Sequence, residues 1–176
     1  MTYLLIFVTV LSVLNLLLVL ALIARLRGSG GARGAGPAPE RIPLPVLPPG
    51  TTPAPFTATT RDGELVDAGA IRLVGFFSPA CSLCGERLPG LLDYVRRGRF
   101  RREEVLAVLI GTPDEVAELA ARIGPAAKVV IEEEPEGPVW RAFGLRGLPA
   151  FYLLDERGVI SGSGTEPAAL PTAEPV

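Results

Sequence analysis

Histidine is absent from this 176-residue chain, and that absence removes several classes of chemistry at once. Without an imidazole there is no Ser-His-Asp triad and no Cys-His pair that could activate a nucleophile. Copper and zinc sites that depend on imidazole are excluded as well. The function must therefore be inferred from the few remaining residues that can perform covalent chemistry.

Cysteine is nearly as scarce, since the chain has two, Cys81 and Cys84, separated by Ser82 and Leu83. Two thiolates supply only half of a four-coordinate zinc shell, so a metal site would need ligands from a second chain. Two buried cysteines can also be plain core residues, because small apolar side chains pack well. We expect no bound metal and no cofactor, which leaves a redox pair and an inert pair as the main interpretations.

Charged residues are few, at 20% of the chain with a net charge of -2, whereas hydrophobic residues reach 48%. A nearly neutral chain has no electrostatic attraction to polyanions, so we expect no nucleic-acid partner. The apolar excess lies at the N-terminus, where residues 2–24 carry no charge. A helix of this length spans about 34 Å, enough to cross a hydrocarbon core of about 30 Å. We therefore predict one N-terminal transmembrane helix.

The residues on either side of 2–24 indicate whether this segment is retained and on which side of the membrane the rest of the chain lies. It has no basic start and is longer than the apolar core of a signal peptide, so we expect it to be retained as a single-pass membrane anchor. Arg25, Arg27 and Arg33 follow it. By the positive-inside rule, these charges favour the cytoplasm for the rest of the chain.

The remainder of the chain divides by composition into three parts. Residues 25–55 are dominated by Gly, Ala and Pro, which predicts a flexible to extended linker. Residues 56–164 have the size of one folded domain. Residues 165–176 are rich in proline, and we expect a disordered tail there.

Strand-like and helix-like patterns alternate in residues 56–164. Near-continuous apolar runs at 71–77 and 104–111 predict buried strands. Apolar residues at helical spacing after the cysteines predict a helix that Pro89 bends, and residues 112–124 carry a capping box that starts a second helix. Shorter patterns predict a hairpin around Asp62-Gly63, a strand at 128–132, a solvated acidic loop at 131–136, a helix at 137–144 and a strand, turn and strand at 149–160. This order predicts an α/β domain with a mixed central sheet flanked by helices.

The predicted place of Cys81 favours the redox interpretation. If the strand at 71–77 is followed by a helix that begins near Ser82, Cys81 lies where free N-H groups and the positive end of the helix dipole converge. A thiolate is stabilised there. Cys84, one turn into the helix, is then placed to attack Cys81 and resolve a mixed disulfide. We predict Cys81 as the nucleophile and Cys84 as the resolving thiol.

Two segments resemble the thioredoxin superfamily. The stretch FFSPACSLCGERLP, Phe76 to Pro89, is similar to the family's active-site segment, with a proline two residues before the first cysteine and another five residues after the second. The stretch AFGLRGLPAFYLLDERGVI is similar to the segment in which a cis-proline, here Pro149, faces the redox pair. In that segment the preceding residue, here Leu148, offers backbone groups to a bound peptide. The resemblance implies a thioredoxin-like fold and a substrate groove at Leu148 and Pro149.

The anchor, the linker and the opening PFTATTRDGELVD look like the TlpA-like group of membrane-tethered thiol-disulfide oxidoreductases, which includes MauD-like proteins. This resemblance implies disulfide exchange with a cysteine-containing protein substrate and an upstream thiol-disulfide electron-transfer partner. It also implies an extracytoplasmic domain, against the arginine flank. The chain departs from the group at Ala80, where an aromatic residue often stands, and at Arg87, where many members have an acid. The alternative is a non-catalytic thioredoxin-like binding or assembly module for a membrane-associated partner.

Overall fold

The structure is a computed structural model that describes Ile6, Phe7, Leu11, Ser12, Asn15 and residues 46–172. Most of the predicted anchor at 2–24, the first part of the linker and the last four residues of the tail lie outside these positions. In the part of the chain that is described, no helix is both long enough and apolar enough to cross a bilayer. The anchor therefore stays a prediction.

Strands and helices alternate as predicted through the described part of the domain. The regular elements are β1 (Leu73–Phe77), α1 (Ser82–Arg97), β2 (Val105–Ile110), α2 (Pro113–Ile123), β3 (Lys128–Glu132), α3 (Pro138–Ala142), β4 (Ala150–Leu154) and β5 (Ile160–Gly164). Short 3-10 turns lie at Ala68–Ala70, Arg102–Glu104 and Pro167–Ala169. Pro89 lies inside α1 without ending it.

The five strands form one sheet in the order β3-β2-β1-β4-β5. Strands β1, β2 and β3 are parallel to one another, whereas β4 runs antiparallel to β1 and β5 antiparallel to β4. The prediction of a mixed central sheet flanked by helices is thus confirmed. Because the carboxyl ends of parallel strands meet at one edge, the loops that follow β1, β2 and β3 lie together at that edge.

Both faces of the sheet are covered, and each has its own apolar core. All five residues of β1 are buried, as a central strand between two layers requires. Neighbouring residues point to opposite faces, so Phe77 joins the core beneath α1 and α2 while Phe76 joins the core on the α3 face. Aromatic pairs set edge to face reinforce each core, with ring centres 5.5 Å apart for Phe77 and Phe151 and for Phe76 and Phe143.

The predicted hairpin around Asp62-Gly63 is reduced to a single bridge between Thr59 and Leu65. Gly63 adopts a φ of 85°, which suits glycine and gives the tight turn that the dipeptide predicted. Two hydrogen bonds flank the bridge, from the Thr60 N-H to the Glu64 carbonyl at 2.8 Å and from the Val66 N-H to the Ala58 carbonyl at 2.9 Å. The Arg61 N-H, in the turn itself, donates to the Val129 carbonyl of β3 at 2.8 Å.

The packed region extends beyond the predicted lower bound of residue 56. The Gly50 N-H donates to the Ile160 carbonyl at 2.7 Å, and the Ile160 N-H donates to the Thr51 carbonyl at 2.9 Å, so this segment pairs with the start of β5. The Leu47 N-H donates to the Tyr152 hydroxyl at 3.3 Å, and the Leu47 side chain packs on the α3-face core. Residues 46–55 therefore lie against the domain although their composition is that of a linker.

The packed region also extends beyond the predicted upper bound of residue 164. Leu170 is only 7% exposed and belongs to the core beneath α1. The Tyr94 hydroxyl donates to the Pro171 carbonyl at 2.5 Å, and Arg87 forms a salt bridge with Glu166. Residues 165–172 thus cross α1 in an ordered path, because their apolar side chains bury surface even without regular secondary structure.

Candidate active site

Cys81 is the N-cap residue of α1, the longest helix in the described part of the domain. Its N-H donates to the Ser78 carbonyl at 3.1 Å, which closes the short loop between β1 and α1. The side chain is half-buried and packs at the margin of the core beneath α1. An α-helix has a partial positive charge at its N-terminus, and the Cys81 side chain lies at that end of α1.

Cys84 lies one turn later and is only 1% exposed. Its N-H donates to the Cys81 carbonyl at 3.0 Å, and its side chain is part of the core beneath α1. Both cysteines are free thiols. The pair therefore consists of one sulfur at the surface and one sulfur in the core, in the reduced state.

Burial is the main cause that raises the pKa of the Cys84 thiol from its ordinary 9.0 to about 12. A hydrogen bond with the Cys81 side chain and the negative charge of Cys81 act in the same direction, while a backbone hydrogen bond at Ser78 lowers the pKa. Cys84 is consequently a neutral thiol at neutral pH. Because the thiolate is the nucleophile in disulfide exchange, the buried and neutral Cys84 is poorly placed to attack first.

Leu148 and Pro149 lie at the same end of the sheet as the cysteine loop. Their peptide bond is cis, Pro149 is buried and Leu148 is half-buried. The next residue, Ala150, pairs with Phe76 near the end of β1. Leu148, like Cys81, packs at the margin of the core beneath α1. The structure therefore brings all four predicted site residues to one edge of the domain.

A cleft of about 250 Å³ opens beside Cys81. One side of it is formed by Cys81, Ser82 and Gly85, and the other by α2 residues that include Glu118 and Arg122. Strand β1 lies between β2, which leads into α2, and β4, which Pro149 precedes. The cleft and the cis-proline therefore lie on the two sides of Cys81. The contribution of α2 was missed from the sequence, because it depends on β2 being the neighbour of β1.

Leu83 adds an apolar surface between the two cysteines. Its side chain is 48% exposed, which is unusual for a large apolar residue of this domain. The neighbouring Pro79 and Ala80 are exposed as well. Pro79, Ala80 and Leu83 thus form an exposed apolar surface next to Cys81, which suits contact with another polypeptide chain.

No acidic side chain is buried with Cys84 among the described residues. The buried carboxylate of the domain is Glu132, which is 5% exposed. It accepts hydrogen bonds from the N-H groups of Val139 at 2.6 Å and Trp140 at 3.1 Å, at the start of α3. The prediction that the acidic loop at 131–136 is solvated is therefore wrong for Glu132. This carboxylate caps α3 on the opposite face of the sheet from Cys84.

Over residues 46–172 and the five described N-terminal positions, no three or more His, Cys, Asp or Glu side chains are grouped so that they could hold a metal ion. The two thiols stand without a third ligand in this part of the chain.

Comparison with known proteins rests on the fold. No protein-family model matches the sequence, and none of the curated proteins compared with it gives a match. A thiol:disulfide interchange protein of the thioredoxin family from Chlorobium tepidum TLS is 22% identical with a TM-score of 0.51, and the match covers 70% of this chain and 92% of that chain. The present chain has a thioredoxin-like fold.

Two further solved structures show the same thioredoxin-like fold. The thioredoxin domain of a thiol-disulfide oxidoreductase from Bacteroides vulgatus is 20% identical with a TM-score of 0.55, covering 66% of this chain and 88% of that chain. A secreted disulfide oxidoreductase from Mycobacterium tuberculosis is 18% identical with a TM-score of 0.51, covering 67% of this chain and 88% of that chain. The fold that the sequence resemblance implied is confirmed.

Proposed function

We propose that this protein is a membrane-tethered thiol-disulfide oxidoreductase that exchanges disulfides with cysteine-containing partner proteins. The observation that carries the proposal is the pair of reduced sulfurs at the start of α1, with Cys81 half-exposed and Cys84 buried one turn behind it. The similar structures are those of an interchange protein and two oxidoreductases, which supports the same chemistry. These structures share the fold at about one-fifth identity, so the sulfur geometry remains the main support.

The proposed reaction has two exchange steps. In the first, the Cys81 thiolate attacks one sulfur of a partner disulfide, a Cys81-partner bond forms, and the other partner sulfur leaves as a thiolate. In the second, Cys84 loses its proton and attacks the Cys81 sulfur, which forms the Cys81-Cys84 disulfide and releases the reduced partner. The partner gains two electrons and this chain loses two. An upstream dithiol partner restores the pair by the reverse sequence of exchanges.

Leu148 and Pro149 are proposed to orient the partner segment. The pairing of β4 with β1 begins at Ala150, so the backbone of Leu148 lies just outside that register and at the edge where Cys81 is exposed. An extended segment that hydrogen-bonds to Leu148 would add to the sheet edge in the manner of strand addition. The apolar side chain of Leu83 would then contact the same segment.

The domain is proposed to face the outside of the membrane, with residues 2–24 as the anchor. Disulfides persist in oxidising compartments, and one of the similar structures is a secreted oxidoreductase. The arginines after residue 24 favour the opposite side. External protease on intact cells is expected to remove the domain from the anchor. Protection of the domain until the cells are lysed would place it inside instead.

Insulin reduction in the presence of dithiothreitol tests the proposed activity. The full chain in detergent is expected to shorten the lag before insulin precipitates, and Cys81→Ser is expected to abolish the effect because it removes the attacking sulfur. Arg157→Gln, on the turn between β4 and β5 at the far end of β4, serves as a matched control and should retain full activity. A wild-type chain no faster than dithiothreitol alone would contradict the oxidoreductase proposal and favour the non-catalytic module.

A further inference from the structure

Cys84 lies in the apolar core beneath α1, and its side-chain hydrogen-bond partners are the Cys81 thiol and the backbone of Ser78. Leu88 and Leu91 follow it by one and two turns of α1, and both are as deeply buried as Cys84 itself. The rings of Phe77 and Phe151 belong to the same core on the sheet side. A thiol in this setting has no carboxylate beside it that could accept its proton.

The charged groups on the elements around Cys84 are directed elsewhere. On α1, Glu86 is exposed and Arg87 forms its salt bridge with Glu166 of the C-terminal segment. Glu132, at the end of β3, lies beneath α3 on the opposite face, where the N-H groups of α3 occupy both of its oxygens. Strand alternation separates this carboxylate from the Cys84 side of the sheet.

The charged groups of α2 face the solvent side of Cys81. Glu115, Glu118 and Arg122 are exposed and line the cleft beside Cys81. Glu115 is engaged at the start of α2, where the Thr112 N-H donates to its Oε2 at 2.9 Å. These side chains therefore border the outer sulfur, while Cys84 lies inward of it in the core.

We propose, building on the oxidoreductase activity proposed above, that no side chain of the described residues takes the Cys84 proton during resolution, and that base from the solvent does so. In the second exchange step the Cys84 proton passes to hydroxide or buffer base, the freed electron pair of the Cys84 sulfur attacks Cys81, and the Cys81-partner bond breaks with its electrons leaving on the partner sulfur. The mixed disulfide at Cys81 is consequently long-lived in the unmodified protein. A partner is captured quickly and released slowly.

Burial supports this order of rates, because it is the largest of the causes that raise the pKa of the Cys84 thiol from 9.0 to about 12 in the dithiol form. The charge of Cys81 is lost in the mixed disulfide, whereas the burial of Cys84 is not. Well below that pH the thiolate fraction changes about tenfold for each pH unit. An internal carboxylate acting as general base would instead give a rate that levels off once that carboxylate is ionised. The pH dependence of resolution therefore distinguishes the two cases.

The chromogenic disulfide dithiobis(nitrobenzoate), mixed in one equivalent with the reduced full chain in detergent, separates the two steps. Attack by Cys81 releases the first nitrothiobenzoate, and attack by Cys84 on the adduct releases the second. We expect a fast first phase and a slow second phase whose rate rises about tenfold per pH unit from pH 6 to 9. Cys84→Ser should retain the first phase and lose the second.

Each other outcome has a defined meaning. A second phase that levels off within this range, or that is as fast as the first at pH 7, would overturn the inference while leaving the proposed activity intact. Absence of the first phase in the native protein would instead overturn the proposed activity. The wild-type profile alone therefore decides the question.

A substitution at Leu88 provides an independent test, because residues four apart on a helix are neighbours. Leu88→Glu places a carboxylate next to Cys84, and Leu88→Gln is the matched uncharged control. Burial raises the pKa of the introduced carboxyl, so in folded protein we expect Leu88→Glu to accelerate the second phase at least about tenfold at pH 9 and to flatten its pH dependence above the pKa of that carboxyl, while Leu88→Gln does neither. Equal second phases in the two variants would contradict the inference; if either variant fails to fold, the wild-type profile decides.

Discussion

The Cys84 N-H donates to the carbonyl of Cys81 at 3.0 Å, and this single turn of helix separates a half-exposed sulfur from one that is 1% exposed. The two thiols of the pair are therefore chemically unequal before any partner arrives. Cys81 has the helix N-terminus and an open cleft beside it, whereas Cys84 has the apolar core. The consequences of this inequality can be measured.

Alkylation of the native reduced chain should modify one cysteine only. Cys81 is half-exposed, while Cys84 is buried and its raised pKa keeps it neutral, so iodoacetamide is expected to add one label in native conditions and two after denaturation. Peptide mass mapping identifies the labelled residue. Cys84→Ser should still take one native label and Cys81→Ser close to none. A label shared equally between the cysteines would show that the burial of Cys84 does not protect it.

Stability should fall at alkaline pH through Cys84. Its pKa is about 12 in the folded chain and 9.0 ordinarily, so between these values the unfolded chain loses the proton that the folded chain keeps, and unfolding becomes easier as pH rises. This contribution is fully present below pH 9 and is lost progressively towards pH 12. By pH 10.5 the free energy of unfolding of the wild type is expected to fall by about 2 kcal/mol more than that of Cys84→Ala.

Urea unfolding of both proteins at pH 8 and pH 10.5, followed by Trp140 fluorescence, checks this difference. The alanine variant has no thiol at position 84, so it retains the other alkaline titrations, including Tyr152, whose pKa burial raises to about 12. Identical losses in the two proteins would mean that Cys84 titrates alike in the folded and unfolded chains.

Gly137→Ala should destabilise the domain. A Cβ at this position would lie 2.3 Å from the carboxyl carbon of Glu132, and the buried carboxylate would be displaced from the N-H groups of Val139 and Trp140. Leaving such a group unpaired costs on the order of 2 kcal/mol. Gly85→Ala is the matched control, since nothing lies within 4 Å of a Cβ there and alanine favours helix. Thermal unfolding should show a lower midpoint temperature for Gly137→Ala and no decrease for Gly85→Ala.

Tyr152→Phe should loosen residues 46–51. The Tyr152 hydroxyl accepts from the Leu47 N-H at 3.3 Å and donates to the Phe143 carbonyl at 3.3 Å, so it links this segment to the end of α3. Removing it is expected to cost about 1 kcal/mol and to speed hydrogen exchange at Gly50 and its neighbours. The neighbouring Phe151 lies in the core beneath α1, on the other face of the sheet, so a substitution there does not test this link. Unchanged exchange in Tyr152→Phe would show that the pairing of this segment with β5 suffices to hold it.

The cysteine loop was predictable because its determinants are local. A buried strand, a short loop and a helix start follow one another within about 25 residues, so the position of Cys81 at the helix N-terminus depends on no distant contact. The cleft between Ser82 and α2 depends on which strand neighbours β1. That pairing joins residues some 30 positions apart, and hydrophobic periodicity carries no information about it.

The misplaced boundaries have a common physical cause. Proline-rich composition predicts a lack of helix and strand, yet it does not determine whether single side chains such as Leu47 and Leu170 are buried. Composition is equally uninformative about the burial of a charged residue such as Glu132. Its acidic neighbours are exposed, but it ends β3 in phase with Val130 and meets free N-H groups at the start of α3. The position of Glu132 two residues after Val130 was the sequence signal that could have predicted its burial.

Trapping a partner on Cys84→Ser tests the central claim most directly. Without the resolving sulfur, the first exchange should stop at a covalent adduct, so a chain incubated with a disulfide-bonded protein should gain the mass of one partner. Tryptic mass spectrometry is predicted to place that bond at Cys81, and dithiothreitol should reverse it. A Cys84→Ser chain that forms no adduct, while its folded structure is intact, would contradict Cys81 as the nucleophile.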